Sequence, residues 1–82
     1  MNSFETSDFI LATTLATLSF KLMHIDRSND RRASFCFERS DGIDQVVQDF
    51  WKADGLLIEP KAFAMNQRLL KSRLYAKDEA NT

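Results

Sequence analysis

Two glycines, one proline, one cysteine and one histidine are all that 82 residues contain of the types on which many small sites are built. Gly42 and Gly55 stand alone, and without Gly-x-Gly spacing there is no phosphate-cradling loop. A single cysteine, Cys36, excludes an intramolecular disulfide and a cysteine-based zinc site. A lone thiol in a predicted strand suits a reducing compartment. Long apolar runs are also missing. The best stretch, Phe9 to Leu22, is interrupted by Thr13, Thr14, Thr17, Ser19 and Lys21, so neither a secretory signal nor a membrane span is read from it. The expectation is a cytoplasmic protein with no membrane partner. Scarce glycine and proline beside 44% hydrophobic residues predict a folded chain, and its length predicts one domain, 1–82, with 1–5 and 78–82 frayed.

Net charge −1 and an isoelectric point near 5.7 exclude a generally basic nucleic-acid coat. One absence is local. Between Pro60 and Lys77 there are five basic residues, Lys61, Arg68, Lys71, Arg73 and Lys77, and no Asp or Glu. The preceding 59 residues hold six basic and ten acidic side chains. That asymmetry is the feature that points to a partner.

Periodicity gives the elements. Ser7 is expected to cap a helix over 8–19, with Asp8 favourable at its positive end. Phe9, Leu11, Ala12, Leu15, Ala16 and Leu18 fall within half the circumference, with three threonines on the other side. A hairpin follows, with strands at Phe20–Asp26 and Arg32–Arg39 and a tip at Asn29-Asp30. Ala33, Phe35 and Phe37 alternate with Ser34, Cys36 and Glu38. In the first strand Phe20 and Leu22 oppose Met23 and Ile25, which predicts an inner strand apolar on both faces. Asp41 should cap a second helix over 42–53, where Ile43, Val46, Val47, Phe50 and Trp51 form an unbroken apolar stripe. Gly55 is placed at a left-handed stop, and Leu56-Leu57-Ile58 is read as a third strand or an extended edge segment. Pro60 at a first helical position opens a final helix over 60–76. Its apolar face combines Phe63, Leu70 and Leu74 with Ala62, Met65 and Leu69. Lys61, Arg68, Lys71 and Tyr75 face the other way, and Arg73 reaches over the edge of the apolar arc.

The segments Thr6-Ser7-Asp8-Phe9, Phe35-Cys36-Phe37-Glu38, Asp49-Phe50-Trp51, Pro60-Lys61-Ala62-Phe63 and Lys71-Ser72-Arg73-Leu74-Tyr75 carry a resemblance. Over about residues 4 to 76 the chain resembles a family of small bacterial and phage proteins described only as a domain of unknown function. The shared positions are mostly packing residues. The resemblance implies a prokaryotic or mobile-element setting, and it implies no activity, cofactor or catalytic residue.

Chemistry is sparse. His24 is expected opposite Ser34 to Phe35, so it meets Cys36 only on a diagonal and no third group is in sight. Asp41, Asp44, Asp49 and Asp54 spread around a solvated helix side and do not converge as cation ligands. Arg32-Ala33-Ser34-Phe35-Cys36-Phe37 resembles an RNA-binding aromatic strand but lacks its glycine, and Phe35 and Phe37 belong beneath the helices. No catalytic, metal or cofactor residue is assigned. The basic helix remains. Lys61, Arg68, Lys71 and Tyr75, joined by hairpin residues Arg27, Arg31 and Arg32, form the candidate surface for DNA or RNA. The ordinary alternative is a solvated face favoured by the helix dipole. A third use is docking on a second copy or a partner protein.

The expected architecture is α+β in the order α-β-β-α-β-α, with helices on one face of a small sheet. Its core is expected to hold Leu11, Leu15, Leu18, Leu22, Phe35, Phe37, Val47, Phe50, Trp51, Ile58, Phe63, Leu70 and Leu74. The expected function is a non-enzymatic accessory that binds nucleic acid; the alternative is a protein-interaction or homodimerisation module.

Overall fold

A computed structural model of the chain describes residues 3–28, 31–52 and 55–76. It is α+β. The elements run β1 (Ser3–Thr6), α1 (Phe9–Thr17), β2 (Leu22–Asp26), β3 (Ser34–Glu38), α2 (Ile43–Phe50) and α3 (Pro60–Tyr75). One antiparallel sheet has the strand order β1-β3-β2. The expected hairpin tip at Asn29-Asp30 lies outside the described residues.

The order is therefore β-α-β-β-α-α rather than α-β-β-α-β-α, because the third strand is at the other end of the chain. Residues 3–6, with 3–5 expected to fray, pair with β3 along its second edge: Phe4 opposite Phe37, Glu5 opposite Cys36, Thr6 opposite Phe35. Four residues have little strand propensity of their own. The unpaired edge of β3 supplies the partner that holds them. Leu56-Leu57-Ile58, expected as that strand, has no regular structure, and Leu57 is 96% exposed. Three adjacent apolar residues without alternation do not sort into an inner and an outer face.

Helix α1 is buried through five consecutive residues, Leu11 to Leu15. It packs against α3, α2 and β1. Thr13 and Thr14, expected on the outer side, are inside. Their hydroxyls donate to the carbonyls of Phe9 and Ile10, each at 2.8 Å, so no polar atom is left unpaired by burial. The N-cap is Asp8, not Ser7: its carboxylate accepts from the Leu11 amide at 2.9 Å. The C-terminus closes with Phe20 N–H donating to Leu15 O and Ser19 N–H donating to Ala16 O, each 3.0 Å. This pattern needs a left-handed residue, and Ser19 supplies it with φ 73° where glycine is usual. Phe20 and Leu15 join the same core, the apolar contact that accompanies such a stop.

The mixed faces of β2 have a simple cause. Leu22 pairs with Phe37 and His24 with Cys36, so Met23 is an extra residue on this strand, a bulge. The bulge reverses the alternation. Leu22 and Ile25 both reach the core, while Met23 is exposed. The strand is accordingly an edge, not an inner strand.

In α2, Ile43 is fully buried and Val46, Val47 and Phe50 pack against the core as the stripe requires. Trp51 does not. It is 66% exposed, one residue past the helix, and its ring meets that of Phe50 edge-on at 4.9 Å. At 100° per residue it points roughly 80° away from Ile43, beyond the reach of the core. The helix begins without the expected Asp41 cap. Gly42 is the N-cap, at φ 91°, and no side chain bonds to the first amides. Among the described residues Gly42, not Gly55, is the left-handed glycine. Gly55 is needed for another reason, since a Cβ there would run into the backbone carbonyl of Asp49.

Pro60 opens α3 as expected, and the Glu59 carboxylate accepts from the amides of Lys61 and Ala62 at 3.2 and 2.7 Å. Leu70 is buried, and Phe63 and Leu74 are partly so. Met65 and Leu69, expected on the core face, are exposed on the outside of α3. The core thus gathers Leu11, Ala12, Leu15, Phe35, Phe37, Ile43 and Leu70 on one side of the sheet.

These placements separate two residues that read alike in sequence. Leu15→Ala should cost about 2–5 kcal/mol, as for a fully buried leucine. Trp51→Ala, which a core position would make equally damaging, should cost about 1 kcal/mol or less, mainly the ring contact with Phe50. Urea unfolding midpoints of the two variants measure both. A Trp51→Ala loss as large as that of Leu15→Ala would contradict the fold described.

Candidate nucleic-acid interface

Arg68, Lys71 and Tyr75 lie within roughly 60° of arc on α3, the consequence of three- and four-residue spacings on a 3.6-residue helix. All three are exposed. Opposite the last turns of α3 stand Arg32 and Ala33, which lead into β3, and Ser7 and Phe9, at the start of α1. Together they enclose a cleft of about 250 Å³. Phe9, Phe35 and Leu74 provide apolar walls, and Arg32, Lys71 and Tyr75 complete the lining. The Phe9 and Phe35 rings are 6.0 Å apart at 57°. Ser7 and Ser34 hydroxyls meet at 3.3 Å, tying the α1 entry to β3.

Lys71 and Tyr75 also line an open groove of about 520 Å³ with Arg68, Ser72 and Ala76. The two depressions are therefore neighbours, with Lys71 and Tyr75 common to both. No Asp or Glu lines either of them among the described residues. The nearest acid in sequence, Asp8, is turned to the amide of Leu11.

Of the seven residues expected at this surface, the structure gathers four: Arg32, Arg68, Lys71 and Tyr75. Arg27 has another task. Its guanidinium donates to the carbonyls of Arg73 at 2.7 Å and Leu74 at 3.3 Å, capping the C-terminus of α3 from 46 residues away. Within the helix the Arg73 carbonyl accepts a long 3.4 Å bond from the Ala76 amide, and a cation suits the negative end of the helix dipole. The Nε of Arg27 is buried and unpaired, which marks the side chain as held in place. Arg27 is thus a brace between hairpin and helix, and it brings Arg32 alongside Lys71. Lys61 sits at the opposite end of α3, about 21 Å from Tyr75 along the axis. Arg31 is exposed on the hairpin and lines neither depression. Sequence reasoning missed the apolar walls and Ser7. Phe9, Phe35 and Leu74 are core residues by pattern, and nothing in their spacing says that one edge of each borders a cleft.

The other face of the sheet holds a row that sequence reasoning placed differently. Glu5, Cys36 and His24 stand side by side across β1, β3 and β2, because the register puts His24 directly opposite Cys36. The thiol is not activated by this company. Burial pushes the Cys36 thiol above its ordinary range, and the neighbouring Glu5 and Asp26 carboxylates push it further. A nucleophilic cysteine needs the opposite shift. Asp26 itself is held below the usual carboxylate range by the Ser28 amide, 2.9 Å away, and by the Ser28 hydroxyl. No group of three potential ligands converges on a metal position among the described residues. Nor is any helix among them long and apolar enough to cross a membrane.

A small α+β domain with a cationic, partly apolar cleft between its hairpin and its last helix is thereby defined. Residues 1–76 match the family described as a domain of unknown function (DUF5659), and the chain belongs to that family. No curated protein and no solved structure matches it.

The raised Cys36 thiol has a stability consequence with a definite sign. The folded state holds its proton more tightly than the unfolded chain, so this contribution is complete below the unfolded value of about 8.5. It is lost as pH rises through the folded value. The urea midpoint should fall above pH ~8.5 by more in the native protein than in Cys36→Ala. Thiol reagents should label the folded protein slowly at neutral pH. Rapid labelling would contradict the burial of Cys36.

Proposed function

We propose that the protein is a non-enzymatic accessory that binds nucleic acid, holding the phosphate backbone along the C-terminal half of α3 and the adjoining end of the hairpin. The observation that carries this reading is the gathering of Arg32, Arg68 and Lys71 around two adjoining depressions that no acid lines among the described residues. Each phosphate neutralised there releases condensed counterions, so a few contacts give weak, salt-sensitive and sequence-independent attraction. Tyr75, 75% exposed beside these cations, adds a ring on which a base can stack. Local charge is sufficient: the chain as a whole is near neutral, and the attraction acts within a Debye length of the patch. A cytoplasmic, prokaryotic or mobile-element setting accompanies the proposal.

A second reading is favoured by a different observation. Trp51, Leu57, Met65 and Leu69 are all more than half exposed, and Met65 and Leu69 are neighbours on the outer face of α3. Exposed apolar side chains of this size suit contact with a second copy or a partner protein. That module would need no nucleic acid.

Replacing Arg68 and Lys71 together by Gln separates the two. On the nucleic-acid reading, affinity falls for every sequence alike, and the slope of log K against log salt flattens by about 1.4–1.8, two contacts' worth. Both side chains are exposed, so the fold survives. Arg27→Gln serves as the control. It should lower stability by about 1–2 kcal/mol through loss of the α3 cap while flattening the salt slope by no more than about one contact, the share of Arg32. Absence of binding by the intact protein at low salt would refute the nucleic-acid reading. A sedimentation mass that falls from dimer to monomer when Met65→Ser and Leu69→Ser are combined would establish the assembly reading instead.

A further inference from the structure

We infer that the cleft beside Tyr75 receives one unstacked base of a single-stranded nucleic acid, so that the protein discriminates single strands from duplex. This rests on the reading of α3 as a phosphate-contacting surface and adds the form of the ligand. Size is the first argument. About 250 Å³ falls short of the ~300–1,000 Å³ typical of a self-sufficient small-molecule pocket, yet the cleft is walled by Phe9, Phe35 and Leu74 and suits a flat apolar group. The second argument is adjacency. Lys71 and Tyr75 border both the cleft and the groove that carries Arg68, so a strand with a ring in the cleft meets further cations beside it. Planar aromatic rings, apolar on their faces and polar at their edges, joined by anionic links are the repeat of a nucleic-acid strand.

The charge pattern points the same way. Arg32 and Lys71 line the cleft from opposite sides, hairpin and helix, where they can meet the phosphates flanking an inserted base. Arg68 lies about 10 Å further back along α3 from Tyr75, in position for a phosphate further along the strand. Duplex satisfies only part of this arrangement. Its phosphates can reach Arg68 and Lys71, but its bases are paired and stacked, and a wall of Phe9, Phe35 and Leu74 offers nothing to a sugar–phosphate edge. The aromatic platform and the cationic track together are the two features by which strands are held without sequence preference.

The test compares four fluorescent probes against the full chain at low salt: a short DNA strand, the RNA strand of the same sequence, the corresponding duplex, and a strand with its phosphates intact but its bases removed. One or both intact strands should bind at least about fivefold more tightly than the duplex and the base-free strand, the lower end of the effect of one stacked base. Which of the two binds better identifies the sugar. Tyr75→Ala should abolish the difference and Tyr75→Phe should preserve it, with circular dichroism unchanged in both. Equal binding of the intact and base-free strands, or of strand and duplex, overturns the inference while leaving phosphate binding in place. No binding of any probe overturns both.

Discussion

Burial of five successive residues of α1, Leu11 to Leu15, is the constraint around which the rest of the structure is arranged. At 100° per residue they point in every direction around the helix axis, so α1 has no middle turn that solvent can reach. Neighbours are required on all sides, and α2, α3 and the sheet supply them. Two of the five residues are threonines, whose burial is affordable only because their hydroxyls return to carbonyls one turn back. An apolar helix at the centre of a chain this short leaves no room for a second hydrophobic layer elsewhere. The position of α3 follows from this packing, and with it the direction of its outer face.

The cleft is a by-product of the same geometry. Because α3 lies along α1 with Leu70 inward, Arg68, Lys71 and Tyr75 are turned away from the core. The hairpin is then drawn to the end of α3 by Arg27, whose guanidinium donates to carbonyls of the helix's last turn. Arg32 arrives beside Lys71 as a result, with the rings of Phe9 and Phe35 between the two walls. The opposite sheet face, with its buried and protonated Cys36, has no comparable arrangement of charge.

Most helices were legible in the sequence because periodicity records burial. The stripe Ile43, Val46, Val47 and Phe50, the proline opening α3 and the hairpin pattern all correspond to the structure. The departures have specific causes. Strand β1 depends on a partner 29 to 35 residues away, which no local pattern contains. The bulge at Met23 interrupts a period of two, so faces assigned by alternation were wrong on one side of it. Trp51 completes the heptad-like stripe but follows the last helical residue, and pattern alone does not say where the helix stops. In the candidate site, Arg68, Lys71 and Tyr75 were legible from helical spacing. Arg32 was legible from charge alone, whereas the role of Arg27 was not, because a cap across 46 residues leaves no trace in local sequence. The apolar walls were invisible for the reason that core and cleft share the same side chains.

Backbone amide shifts of the isotopically labelled chain, followed during titration with a single-stranded oligonucleotide at low salt, test the assignment of this surface most directly. Movement is predicted to cluster at Ser7, Phe9, Arg32 and Ala33 and from Arg68 to Ala76, where the cleft and groove lie. The row Glu5, Cys36 and His24 on the far side of the sheet should stay still. Movement centred instead on Trp51, Leu57, Met65 and Leu69, or no movement at all, would contradict it.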